Sequence, residues 1–92
     1  MVEINIKEGS LVTSIKGHDA GRTYLVLQIS NNLALCVDGK YKLIENPKKK
    51  SLKHLQNCCK TFDDLLQKYK NGKLYDFEVK TIIKKEVKLH KV

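Results

Sequence analysis

The chain is short of most residues that build specialised sites. Trp is absent, Pro occurs once and Cys three times among 92 residues. No stretch approaches the roughly 20 apolar residues needed to cross a bilayer, so no membrane-spanning helix is expected. The start, Met-Val-Glu-Ile-Asn-Ile-Lys, has neither a basic region nor an apolar run of signal-peptide length. With an odd number of cysteines, free thiols in a reducing compartment, the cytoplasm, are the expectation. Cys58 and Cys59 are adjacent rather than spaced as a zinc pair, Cys36 stands alone, and His18, His54 and His90 are far apart. A zinc site wants four ligands in a recognised spacing, so no metal is expected. Spacing alone does not exclude a Cys–His catalytic pair, but no motif supplies one, and neither a P-loop nor a dinucleotide fingerprint occurs. No enzymatic activity, cofactor or small-molecule substrate is expected.

The length itself points the same way. One domain, or a small domain with an appendage, hides about 60–65 % of its unfolded surface at this size. That leaves room for one modest core and not for a buried cofactor cavity. Hydrophobic residues make up 41 % of the chain, which favours a folded domain over disorder.

What the chain has in excess is positive charge. Lys and Arg number 18 against 10 Asp and Glu, a net charge of +8. The excess is segregated. Residues 1–46 hold five cations and five anions, whereas residues 47–92 hold thirteen cations and five anions. A neutral half followed by a basic half suggests a folded module with a part that faces a polyanion.

The first half reads as β structure. Leu11–Ile15 is apolar and β-branched and reads as a strand. Gly17 to Gly21 is a loop whose glycines are free to take positive φ. Tyr24–Ile29 is a nearly continuous apolar run, expected to be buried on both faces. Ser30-Asn31-Asn32 is a turn, and Leu33–Val37 another strand. Asp38-Gly39 between β-rich runs predicts a two-residue hairpin, with Val37 facing Lys40, Cys36 facing Tyr41 and Ala34 facing Leu43. Ala34, Cys36, Tyr41 and Leu43 then share a core face, while Lys40 and Lys42 face outward. Pro47 marks a strand end. In the following Lys48–Leu55 segment, Leu52 and Leu55 are expected to anchor the chain while the cations stay outside, and the last part is expected to form a closing strand.

The period then changes. Phe62, Leu65, Leu66 and Tyr69 form one helical stripe, preceded by a capping-box pattern at Thr61–Asp64 and stopped by Gly72. Residues 74–85 fit either a strand or a helix; Asp76 and Glu78 at its positive end favour the helix. Phe62, Tyr69 and Tyr41 are assigned to packing, and Tyr24 fits either packing or surface stacking on bases. These segments predict a mainly β fold: a five-stranded SH3-like barrel over residues 1–57 and a basic helical extension over residues 58–92.

Two clusters carry candidate chemistry. Lys48, Lys49, Lys50, Lys53 and His54, next to Lys40 and Lys42, suit phosphate binding, because ammonium–phosphate contacts release counterions. A run of three lysines is as readily a solvated face; segregation of the excess charge tips the balance toward binding. Replacing Lys48, Lys49 and Lys50 together by Ala is expected to weaken such binding without unfolding the domain. The loop Lys16–Arg22 has two glycines that let backbone amides approach a ligand, flanked by Lys16 and Arg22. Taken alone, it is more simply a tight strand connection.

Three pieces in order give a family resemblance: Gly9-Ser10-Leu11-Val12-Thr13-Ser14-Ile15-Lys16-Gly17-His18-Asp19-Ala20-Gly21-Arg22, then Val37-Asp38-Gly39-Lys40, then Asn46-Pro47-Lys48-Lys49-Lys50-Ser51-Leu52-Lys53-His54-Leu55. Over Gly9–Leu55 the chain resembles the KOW-domain RNA-binding family, specifically small bacterial relatives of a KOW-type large-subunit ribosomal protein of archaea and eukaryotes. It departs from many KOW motifs in having Tyr24 where they have a third glycine. The resemblance implies an SH3-like barrel that binds RNA, commonly in ribosomes or transcription complexes, with ribosomal RNA and neighbouring ribosomal proteins as partners. It implies RNA contacts at Lys16, His18, Arg22, Lys48, Lys49, Lys50, Lys53 and His54.

Alternatives are a transcription-linked KOW module bound to polymerase and an SH3-like interaction module with an acidic protein partner. A peripheral membrane binder is disfavoured, because the Phe62–Tyr69 stripe carries only Lys68 and Lys70 against Asp63 and Asp64.

Overall fold

The computed structural model describes residues 6–89, with Cys59, Lys88 and Leu89 described by backbone alone. His90 and the end of the basic tail lie outside the described residues. Five strands, β1 (Ser10–Ser14), β2 (Thr23–Ser30), β3 (Leu33–Val37), β4 (Lys48–Ser51) and β5 (Leu55–Thr61), precede two α-helices, α1 (Asp63–Lys70) and α2 (Asp76–Leu89). The strands form one antiparallel sheet in the order β4-β3-β2-β1-β5. Its register shifts between Val26 and Gln28 in β2 and between Ser10 and Val12 in β1. Such bulges bend a strand and raise its twist, and the sheet curls. Although β3 and β2 separate β4 from β1 in the sheet, β4 meets the loop that follows β1: Lys50 Nζ of β4 donates to the Lys16 carbonyl at 2.9 Å.

Strand alternation divides the apolar residues between two faces. Val12, Tyr24, Val26, Ala34, Cys36 and Leu55 form one cluster, inside the curl. Leu11, Leu25, Leu27 and Val37 point the other way and pack with Leu65 of α1, Leu74, and Val79 of α2. Both faces of Tyr24–Leu27 are thus covered, as the continuous apolar run implies; Gln28 is exposed. The helices close the second core, so the expected boundary at residues 57/58 falls inside β5, and the extension shares a core with the sheet.

The Asp38-Gly39 hairpin does not form. β3 pairs instead with β4, placing Leu33, Ala34, Leu35 and Cys36 opposite Ser51, Lys50, Lys49 and Lys48. The Asp38 side chain is the cause. Its Oδ1 accepts the amides of Lys40, Tyr41 and Lys42 at 2.9, 2.8 and 2.8 Å. A short acidic side chain that binds the amides ahead of it competes with ladder pairing, and residues 38–47 become a loop. Tyr41 and Leu43 are accordingly exposed rather than core. The loop docks on α2: Asp76 Oδ1 accepts the Ile44 amide at 2.8 Å, and Gly39, at φ +77°, lies so close that a Cβ there would collide with the Asp76 carbonyl.

The capping box is also absent. Thr61 is still in the sheet, opposite Ser10, so Phe62 becomes the N-cap of α1 and makes no side-chain cap bond. The helical reading of residues 74–85 holds, and α2 continues to Leu89.

Candidate nucleic-acid interface

The predicted site residues separate into buried and exposed sets. Lys50 is only 8 % exposed, and its ammonium pairs with Asp19 Oδ1 at 2.8 Å. Asp19 also accepts the Ser14 hydroxyl at 3.0 Å and the Tyr24 hydroxyl at 2.7 Å. Lys50 therefore ties β4 to the loop between β1 and β2, and the expectation that this cation stays outside is corrected. Alternation along β4 is the reason. Lys50 stands opposite Ala34 and points into the curl with Lys48, whereas Lys49 stands opposite Leu35 on the other face. Lys48, Lys49 and Lys50 are not one surface, and the three together are not a removable decoration.

Burial opposes the charge on Asp19, but hydrogen bonds from Lys50, Tyr24 and Ser14 outweigh it and hold the carboxyl well below the usual carboxylate range. Burial, with Asp19 beside it, pushes the Tyr24 hydroxyl upward. A carboxyl whose value is lowered by folding stabilises the fold above its unfolded value, about 3.9, and that contribution is lost as pH falls toward the folded value. The stability gap between the parent and Asp19→Asn is therefore expected to be constant from neutral pH down to about 5 and to narrow below about 4. Urea midpoints of both proteins at neutral and acidic pH check this; a gap unchanged by acid contradicts it.

With Asp19 turned inward, the Lys16–Arg22 loop presents Lys16, His18 and Arg22 to solvent. Its backbone is less available than two glycines suggest. The amides of Ala20, Gly21 and Arg22 are donated to Gly17, Ser14 and Asp19 carbonyls, so they do not form an open anion cradle. The His54 carbonyl accepts the Ile15 amide at 2.9 Å, which seats exposed Lys53 and half-buried His54 beside Lys16. Lys48 and Lys42 are half-buried, and Lys49 and Lys40 exposed.

Arg22 turns toward a second place. Its guanidinium carbon lies 4.5 Å from the centroid of the Tyr41 ring, and Lys40 Nζ lies 5.0 Å from it. Cations at these distances are held by the ring's electrostatic field. Tyr41 is 59 % exposed. It borders an open groove of about 660 Å³ between the 38–47 loop and α2, lined by Arg22, Asp38, Lys40, Tyr41, Lys80 and Lys84 among others. Lys80 and Lys84 were not among the sequence-predicted residues. Their one-turn spacing was visible in the chain, but only the docking of the loop on α2 brings them to Tyr41.

Cys36 is buried, and burial pushes its thiol up to about 12. Among the described residues, no three His, Cys, Asp or Glu side chains gather in a metal-binding arrangement, and no helix is long and apolar enough to cross a membrane. No protein-family model and no curated protein matches the chain.

Proposed function

We propose that the chain is an SH3-like barrel of KOW type that binds RNA, with exposed cations around the Lys16–Arg22 loop contacting phosphates, and that this RNA is ribosomal. The disposal of the local acids carries the reading. Asp19 is committed to Lys50, and one Asp38 oxygen to three amides. Lys16, Arg22, Lys40, Lys49 and Lys53 meanwhile stay exposed. Asp19 is neutralised by Lys50, and Asp38 keeps its charge but is outnumbered by the exposed cations, whose net positive field attracts a polyanion. The curl that brings β4 to the loop after β1 supports the small-barrel reading, and the Gly9–Leu55 resemblance supplies the KOW type and the ribosomal setting. Lysines are point charges suited to phosphate and lack the planar fork that reads base edges.

Five such contacts imply that log K falls with log salt at a slope of about −3.5 to −4.5. A filter-binding series over salt concentration measures it, and an essentially flat dependence contradicts the reading. RNA is also expected to displace an acidic peptide such as polyglutamate. The reverse order of affinity favours a protein-interaction module.

A further inference from the structure

Resting on the RNA-binding reading, we infer that α2 carries a platform for unpaired nucleotides, on which bases stack against Tyr41 and Phe77 while Lys80 and Lys84 hold the connecting phosphates. Two of the open grooves along this helix are lined by cations and aromatic rings. One borders Tyr41; the other, of about 570 Å³, is lined by Phe77, Lys80, Thr81, Lys84 and Lys85. Both grooves share Lys80 and Lys84. At 100° per residue these lysines form a ridge, with Ile83 and Val87 toward Tyr41 on one side and Phe77 and Thr81 on the other.

Aromatic exposure is concentrated here. Phe77 is 66 % and Tyr75 60 % exposed, and their rings stack at 6.0 Å with 13° between planes. Leaving large rings in water forfeits burial that the core rewards elsewhere. Aromatic rings interleaved with cations are the chemistry that recognises single strands, because every base has a face to stack and every linkage a phosphate to pair. A duplex hides those faces. Charge complementarity favours the same occupant: among the described residues, Asp38 is the one acid lining the two grooves, against Arg22, Lys40, Lys80, Lys84 and Lys85. A base that stacks on Tyr41 displaces Arg22 or Lys40 from the ring and frees that cation for the phosphate beside it.

The test measures affinity of the full chain for a short oligouridylate, an abasic oligomer of equal length and an RNA duplex of equal phosphate count. Tyr41→Ala and Phe77→Ala are each expected to weaken oligouridylate binding roughly 5- to 100-fold. Both should leave abasic binding and the salt slope unchanged, and Tyr41→Phe and Phe77→Tyr should retain affinity. The chain has no Trp, so Tyr41→Trp supplies a single indole, excitable apart from the remaining tyrosines, whose quenching by oligouridylate, and not by the abasic oligomer, reports stacking directly. Melting temperatures confirm that these exposed substitutions leave the fold intact. Alanine variants that bind oligouridylate like the parent, or a duplex bound more tightly than the single strand, overturn the platform while the RNA-binding reading survives through its salt slope. A parent that binds none of the three nucleic acids overturns both. So does a Tyr41-dependent preference for polyglutamate over oligouridylate.

Discussion

Lys50→Ala is expected to destabilise the fold by about 3–5 kcal/mol, the usual cost of removing one partner of a buried ion pair. The sequence context, Lys48-Lys49-Lys50, suggests the opposite, a charge that water would replace. The difference lies in what remains behind. Without Lys50, Asp19 keeps only the Ser14 and Tyr24 hydroxyls as side-chain donors, and its carboxylate stays largely out of water. The bond from Lys50 to the Lys16 carbonyl, which joins edge strand β4 to the loop after β1, goes with it. Domains of this kind are stable by about 5–15 kcal/mol in all, so the loss takes a large share and should lower Tm by more than about 10 °C. Lys49→Ala, on the exposed face of the same strand, should change stability by no more than about 0.5 kcal/mol. Urea unfolding of the two variants decides the matter; equal and small effects would mean that the Asp19–Lys50 pair does not hold the curl closed.

Gly39→Ala should cost about 2–5 kcal/mol and damage the Tyr41 groove as well. Two penalties add. At φ +77° an L side chain costs roughly 1–2 kcal/mol. The new methyl would also meet the Asp76 carbonyl and lie 2.8 Å from the Lys80 amide, and overpacking of this kind costs about 1–3 kcal/mol. Relief requires the 38–47 loop to lift off α2, which carries Tyr41 and Lys40 away from Lys80 and Lys84. Gly72→Ala is the control: its φ is +70° but the space around it is open, so only the backbone penalty applies. Thermal melts that show equal losses for the two variants would contradict the close docking of the loop.

Much of the scaffold was legible because it is written in local periodicity. The apolar runs of β1, β2 and β3 and the 3.6-residue stripes of α1 and α2 are properties of neighbouring residues, and burial enforces them. The failures share a different cause. Asp38-Gly39 resembles a hairpin turn until the Asp38 side chain takes three amides, and a local motif does not reveal which of two local hydrogen-bond patterns wins. Tyr41 reads as core only through that register. Lys50 carries no hydrophobic signature, and its partner Asp19 lies thirty-one residues away. The pairing exists only once the sheet has curled. Of the site, Lys16, Arg22, Lys40, Lys49 and Lys53 are readable as exposed cations, with His18 beside them. The grouping of Arg22 and Lys40 with Tyr41, Lys80 and Lys84 depends on tertiary docking alone.

Exposed cations that meet phosphate are central to the proposed function, and the salt dependence of RNA affinity in a triple variant tests this most directly. Lys16→Ala, Arg22→Ala and Lys40→Ala together remove three of five proposed contacts and touch no core side chain. The slope should become shallower than the parent's by about 2.1 to 2.7, with the melting temperature unchanged. A triple variant that keeps both the parent's slope and its affinity would show that RNA, if bound, is held elsewhere on the chain.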